Sequence, residues 1–390
     1  MGRKRVKIGV VYSPTSDWIA GAYYVQNIVK ALKIIDDKQL PIIKVYCQSD
    51  KEFEEFKRET AYPYLEKRQF EYYSSNRLYN SLIWRYKRYV NRNYGEPKQF
   101  PLPSDDVLFV YPFTAIDNNR YSKEKCLGWV PDFQEKYLPE LFSFEEIESR
   151  DKAQNSFISH NVPLVFSSND ARNDFLKFHP VGKGLKTFIL QFAVSHPDFS
   201  SEDIVALKKK FGIRKPYLFC ANQFWAHKNH LFLFKAFKEA CERGLDLQLV
   251  CSGKLSDYRN NEYAGRIKSF IDENHLQEDI ILTGFIERKE QLCLMKNSYA
   301  VIQPSLFEGW STVVEDSKCL NKFIYLSDLR VHREQISENV CFFNPRKEED
   351  LLRKLLTVMP TVQDKDYRQN VENSASQFME IIRCFKEKGK

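Results

Sequence analysis

Short runs of β-branched and aromatic residues alternate with helix-patterned stretches along the whole 390-residue chain. That alternation restricts the fold to layered α/β architectures with parallel sheets. In the first half the runs Lys7–Tyr12, Ile42–Cys47, Val107–Tyr111, Cys126–Val130, Leu164–Ser167 and Thr187–Phe192 read as strands. Helical spacing covers Gly21–Ile35, Leu78–Asn93, Phe144–Gln154 and Ala171–Lys177. In the second half the strands read at Tyr217–Ala221, Gln248–Ser252, Ile280–Thr283, Tyr299–Ile302, Phe323–Leu326 and Val340–Phe343, with helices between them. A polar, proline-containing segment, His196–Glu202, separates the two series and is read as a linker. The expected organisation is therefore one α/β domain over 1–195, a second over 203–365, and a tail, 366–390. The tail holds a helix at about Tyr367–Lys386, after a break at Pro360, which is expected to pack back towards the first domain. Two parallel α/β domains of similar size place ligands in the cleft between the carboxyl ends of their sheets.

Composition narrows the class. The length exceeds what one ordinary core supports, and 43% hydrophobic with 14% aromatic residues excludes a disordered chain. There is no run of eighteen apolar residues, and no signal-peptide-like stretch precedes Val6–Tyr12, so the chain is expected in the cytosol, at the inner face of the cell membrane if it touches one. Nine scattered cysteines without a C-x-x-C pair read as reduced thiols rather than a zinc site or a disulfide framework. A net charge of +7 suits anionic partners without choosing among them. Residues 77–93 carry Leu78, Leu82, Tyr86 and Tyr89 at helical spacing among arginines and Lys87. Such a helix either lies on an anionic membrane surface or packs with a snorkelling basic face. No recognised nucleic-acid motif accompanies it, and nucleic acid is not an expected partner.

The most informative stretch is Pro304-Ser305-Leu306-Phe307-Glu308-Gly309-Trp310-Ser311-Thr312-Val313-Val314-Glu315-Asp316. An apolar strand runs into a one-glycine loop, and the loop opens into a helix whose first turn carries Ser311 and Thr312. The free N–H groups and positive dipole end of a helix start suit a phosphate. Carboxylates on both sides, Glu308 before and Glu315 and Asp316 after, repel phosphate and are suited instead to hydroxyl groups attached to it. A phosphate flanked by polyols is a sugar nucleotide. A second cluster, Cys220 to His230, follows the first strand of the second domain. There Lys228 offers a point charge for a diphosphate, and Asn222 offers amide donors.

In these residues the second half resembles the nucleotide-sugar domain of family-4 retaining glycosyltransferases of the GT-B fold, of the bacterial surface-polysaccharide type. The resemblance rests on Asn222, Lys228-Asn229-His230, Ser252-Gly253, Thr283-Gly284-Phe285-Ile286, Pro304-Ser305, Glu308, Glu315-Asp316 and Val331-His332-Arg333-Glu334. The first half is matched more loosely, by Tyr12–Tyr24 and by Trp129-Val130-Pro131-Asp132-Phe133-Gln134. The resemblance implies two Rossmann-like domains facing each other across a cleft. It also implies transfer of a hexose, with retention, from a nucleoside-diphosphate sugar to a glycan or lipid-linked acceptor, without an obligatory metal or other cofactor. No Asp-x-Asp pair stands at a strand end.

By the same resemblance Glu308 binds donor-sugar hydroxyls, and Glu315 or Asp316 accepts from the ribose. Lys228 neutralises the diphosphate, helped by backbone N–H groups of Gly309, Trp310, Ser311 and Thr312. Gly253 and the backbone of Phe285 and Ile286 belong to the donor pocket, the latter two at the base. Gly21, expected in the loop after the first strand, lets acceptor and donor phosphate approach closely. The chain departs from the family pattern in three places. Six residues rather than seven separate Glu308 from Glu315, so strict spacing selects Asp316. Asn222 and Gln223 stand where many relatives carry an arginine, and Glu135 stands where they carry a histidine. Asp132 and Glu135 are therefore the acceptor-side candidates for catalysis. The same departures motivate an alternative, a catalytically idle homologue that binds sugar nucleotides.

Overall fold

The computed structural model describes residues 5–14, 19–69, 85, 104–116, 122–257, 259–260 and 262–388. Apart from Arg85, the basic-aromatic segment 77–93 lies outside the described residues. Among those residues no helix is long and apolar enough to cross a membrane.

Among the described residues thirteen strands build two parallel sheets. The first contains β1 (Lys7–Val11), β2 (Ile42–Cys47), β3 (Leu65–Gln69), β4 (Val110–Phe113), β5 (Cys126–Val130), β6 (Leu164–Phe166) and β7 (Thr187–Ile189), in the order β3-β2-β1-β4-β5-β6-β7. The second contains β8 (Tyr217–Ala221), β9 (Gln248–Ser252), β10 (Ile280–Gly284), β11 (Ala300–Gln303), β12 (Ile324–Ser327) and β13 (Val340–Phe343), in the order β10-β9-β8-β11-β12-β13. Each sheet is doubly wound. The chain moves to one side of its first strand, then returns and continues on the other side. The crevice that opens at this reversal lies between β1 and β4 in one sheet and between β8 and β11 in the other.

Both faces of each sheet are covered, so the strands read as continuous apolar runs whose alternate residues enter different cores. Along β8, Leu218 and Cys220 join one cluster while Tyr217 and Phe219 join the cluster on the opposite face. Along β9, Leu249 and Cys251 belong to the first cluster and Val250 to the second. All nine cysteines are free thiols, and Cys220 and Cys251 stand side by side in the β8–β9 register.

Residues 190–203 run without regular structure between the sheets, and Asp203 caps the following helix, Ile204–Phe211, by accepting from the Val205 N–H. The last helix, Arg368–Lys388, sends Phe378, Met379, Ile381 and Ile382 into a core shared with β1, β2 and the helix Ile19–Leu32. A helix that crosses back from the second sheet to the first ties the two halves together.

Candidate active site

The loops after β8 and β11 meet at the switch point of the second sheet and are stitched to each other. The Leu306 N–H donates to His227 O at 2.8 Å, and Asn229 Nδ2 donates to Pro304 O at 3.2 Å and Pro345 O at 2.9 Å. Asn229 holds φ of 62°, in the left-handed region that asparagine tolerates, which ends the short turn Ala226–Lys228 and starts the helix His230–Glu242. That change of direction delivers Lys228 opposite Glu308.

Lys228 Nζ donates to Glu308 Oε1 at 2.6 Å, with 16% and 10% of the two side chains exposed. The same carboxylate oxygen accepts from Gln303 Nε2 at 2.7 Å. Gln303 is fully buried at the end of β11. Its Nε2 also reaches Ser305 Oγ at 3.0 Å, and its Oε1 accepts from Asn222 Nδ2 at 2.6 Å. Asn222 is thus not an open donor for a diphosphate, as the sequence suggested. Its amide is committed to a chain running Asn222, Gln303, Glu308. Burial pushes the Glu308 carboxyl up, but the Lys228 ammonium beside it outweighs that and the carboxyl lies below its ordinary range. Glu308 is a fixed anion.

His332 is buried, and its Nδ1–H donates to Ser327 O at 2.8 Å, which fixes the tautomer and leaves Nε2 as an acceptor. Burial pushes this imidazole below its ordinary value, so it is neutral at pH 7.

Ser311 caps the helix Thr312–Cys319, its hydroxyl accepting from the Val314 N–H. The Ser311 N–H is taken by Gln335 Oε1 at 3.1 Å. Among the described residues the N–H groups of Thr312 and Val313 have no partner, an arrangement that suits an anion at this helix start.

The acidic pair separates by role. Glu315 is saturated: it accepts from Lys318 Nζ at 2.9 Å and Gln335 Nε2 at 3.0 Å, and from the Tyr367 hydroxyl. It anchors its helix to the segments that follow. Asp316 accepts through Oδ1 alone, from Arg288 Nη2 at 2.5 Å and His196 Nε2 at 2.8 Å. Burial raises its carboxyl, yet Arg288 and His196 hold it below its ordinary value. Of the two, Asp316 is the one with an oxygen, Oδ2, that has no partner among the described residues, in a side chain 1% exposed.

Gly253 backs the site. It has φ of 152°, and a Cβ there would lie 2.1 Å from Asn222 O. Phe285, at the end of β10, is 63% exposed, while Ile286 packs against the core of the second sheet.

The first domain meets this wall directly. A Cβ on Gly309 would lie 2.6 Å from Pro131 O and 2.9 Å from Asp132 Cβ. The Trp310 ring packs into the core of the first domain and donates from Nε1 to Phe192 O at 3.0 Å. Asp132 caps the next turn by accepting from the Gln134 N–H at 3.2 Å, and it pairs with Arg150 at 3.5 Å. Glu135 does not reach the cleft. Its side chain is 0% exposed, paired with Arg150 at 3.1 Å, and burial raises its carboxyl. Gly21 lies in the first turn of the helix Ile19–Leu32 rather than in a loop, because that helix starts two residues before the expected position.

Sequence reasoning missed Gln303, Arg288 and His196. A glutamine ending an apolar strand was a readable signal, since a buried amide must find partners. Nothing local marks Arg288 or His196, which reach Asp316 from 28 and 120 residues away. Among the described residues no group of three His, Cys, Asp or Glu is placed to hold a metal ion.

Comparison with known proteins bears on this geometry. Residues 203–378 match the family described as Glycosyl transferases group 1. The O-antigen chain mannosyltransferase RfbU of Salmonella typhimurium is 21% identical over 160 residues, 41% of this chain and 42% of that protein. The match thus spans under half the length of that relative. A glycosyltransferase from Rickettsia africae superimposes over 99% of both chains with a TM-score of 0.63 at 17% identity. Anabaena Alr3699/HepE, solved with UDP and glucose, aligns over 99% of this chain and 98% of its own with a TM-score of 0.59 at 13% identity. The fold is GT-B: two Rossmann-like domains, facing each other across the cleft where Lys228 and Glu308 meet.

Proposed function

We propose that this protein is a retaining glycosyltransferase that moves a hexosyl group from a nucleoside-diphosphate sugar to a glycan or lipid-linked acceptor during polysaccharide assembly. The observation that carries the reading is the Lys228–Glu308 pair, set at the end of the second sheet beside the open N–H groups of Thr312 and Val313. The family match of the second domain, the O-antigen role named for RfbU, and the UDP and glucose bound by HepE support it.

In this reading the diphosphate lies on the start of the helix Thr312–Cys319, within reach of Lys228. The ribose donates to Asp316, and the base lies by Phe285 and Ile286. Donor-sugar hydroxyls donate to Glu308, which Gln303 and Asn222 hold in place. The C1–oxygen bond breaks, and its electron pair goes to the departing phosphate. Lys228 exchanges part of its contact with Glu308 for that growing charge, a transition-state interaction of the kind that supplies most of the rate. The acceptor hydroxyl attacks C1 from the face the phosphate leaves, and its proton passes to the phosphate oxygen. Asp132, facing Gly309 across the cleft, orients the acceptor. Work at the cytoplasmic face, on a lipid-linked acceptor, accords with this chemistry.

A thermal-shift screen of UDP, GDP, ADP and CDP sugars identifies the donor, because a tight ligand raises the melting temperature by mass action. The reading expects at least one to raise it and to be slowly hydrolysed without acceptor. A protein that binds nucleoside diphosphates yet neither transfers nor hydrolyses any sugar nucleotide is the idle homologue instead.

A further inference from the structure

The loop that carries Glu308 touches the first domain at the residues on both sides of it. Phe307 stacks on Tyr137, with ring centroids 5.5 Å apart and planes 28° from parallel. Gly309 abuts Pro131 O and Asp132 so closely that no Cβ fits. Trp310 donates its indole N–H to Phe192 O at 3.0 Å. The residues flanking Glu308, which the second domain supplies, are thus held by the first.

Tyr137 is itself held. Its hydroxyl donates to Asp174 Oδ1 at 2.6 Å and accepts from Arg330 Nη2 at 2.9 Å, and Arg330 belongs to the second domain. The ring cannot swing away from Phe307 without breaking a charge-assisted network. From its own domain the Glu308 side chain is held at one oxygen by Lys228 and Gln303.

We propose that Tyr137 and Trp310 are positioning residues for Glu308: the first domain is the mould in which the sugar-binding carboxylate takes its working place. The proposal rests on the glycosyl-transfer reading given above. Lys228, Asp316 and the helix start at Thr312 stand outside the mould. Nucleotide binding and sugar positioning therefore separate, the first belonging to one domain and the second to both. A nucleoside diphosphate binds without the mould, while the hexose is aligned only against it. Misplacement of a reacting group by about 1 Å costs up to about a hundredfold in rate, so small losses here have large effects.

The experiment compares Tyr137→Ala, Trp310→Phe and Tyr137→Phe with the wild type. It measures kcat with the sugar nucleotide and the dissociation constant of the free nucleoside diphosphate by calorimetry. Trp310→Phe keeps an aromatic ring against the core while removing the indole donor, which guards against a variant that fails to fold. The expected result is a fall in kcat of about tenfold or more in Tyr137→Ala and Trp310→Phe, with the nucleoside diphosphate bound as in the wild type. Tyr137→Phe, which keeps the stacked ring, recovers most of the turnover lost in Tyr137→Ala. Full kcat in both Tyr137→Ala and Trp310→Phe overturns the proposal, as does loss of nucleoside diphosphate affinity in step with kcat. A wild type without turnover on any sugar nucleotide refutes the glycosyl-transfer reading and the mould with it, whereas an active wild type beside fully active variants refutes the mould alone.

Discussion

Gln303 ties the two loops of the site together through one side chain. One amide accepts from Asn222 and donates to Ser305 and Glu308, so a single side chain sets the orientation of the carboxylate. Gln303→Leu removes all three bonds and leaves the buried Asn222 amide with only its weak contact to Cys220 Sγ at 3.5 Å. A buried polar group left unsatisfied costs about 1–3 kcal/mol, which chemical denaturation would register, and kcat should fall by about tenfold or more as Glu308 loosens. Unchanged stability and turnover would show that the chain of amides is incidental. At this scale the sequence was partly legible. Glu308 and Lys228 could be found because loop chemistry after a strand is local. The true partners of Asn222, Glu315 and Glu135 could not, because each is chosen by tertiary contact. Glu135 occupies a position expected to face a ligand, yet the turn Gln134–Tyr137 rotates it inwards onto Arg150.

At the scale of elements, the readable strands were short, continuous apolar runs. Ile42–Cys47, Cys126–Val130, Tyr217–Ala221, Gln248–Ser252 and Val340–Phe343 have the limits their apolar runs suggest. The run at Val107 pairs later than expected, as β4, although Leu108 already donates to Lys7 O at 2.9 Å. The helix Asp50–Thr60 and the strand β3 were not read from the sequence. Both are dominated by charged residues, and β3 is the sheet edge, where charge protects against pairing with other chains and hides the usual alternation. The turn after β9 is the element on which the site depends most. Gly253→Ala places a methyl 2.1 Å from Asn222 O at a φ of 152°. The loop after β8 must then move, with a loss of about 3 kcal/mol or more and weaker nucleoside diphosphate binding. A melting curve beside a binding isotherm checks both, and a variant with native values in each would contradict the close approach.

Over the whole molecule, the two sheets, the linker and the last helix form one interlocked unit. Glu334 of the second domain accepts from the N–H groups of Asn169 and Asp170, at 2.8 and 3.1 Å, capping a helix of the first. The parallel sheets and the cleft followed from the alternation of elements and the Rossmann-like winding from the family resemblance, whereas these crossing contacts join residues far apart in sequence and had no local signature. Charge placement gives this scale its own prediction. Burial holds His179, His227 and His332 below the ordinary histidine value of 6.5. Below pH 6.5 the unfolded chain takes up protons that these folded imidazoles refuse, so stability falls as pH falls. The depressed carboxyls of Glu308 and Asp316 extend the loss to lower pH, while Glu135, whose carboxyl is raised, works in the opposite sense. Melting temperatures should therefore be level above about pH 7 and decline towards pH 5, and a rise over that interval would contradict the buried neutral histidines.

The measurement that bears most directly on the central claim is turnover of the sugar nucleotide that most raises the melting temperature, in the wild type, Glu308→Ala and Lys228→Ala. The account predicts hexosyl transfer or slow hydrolysis by the wild type and a loss of about a hundredfold or more in each variant, with folding retained. Wild-type rates in either variant, or no turnover by the wild type at all, would contradict it.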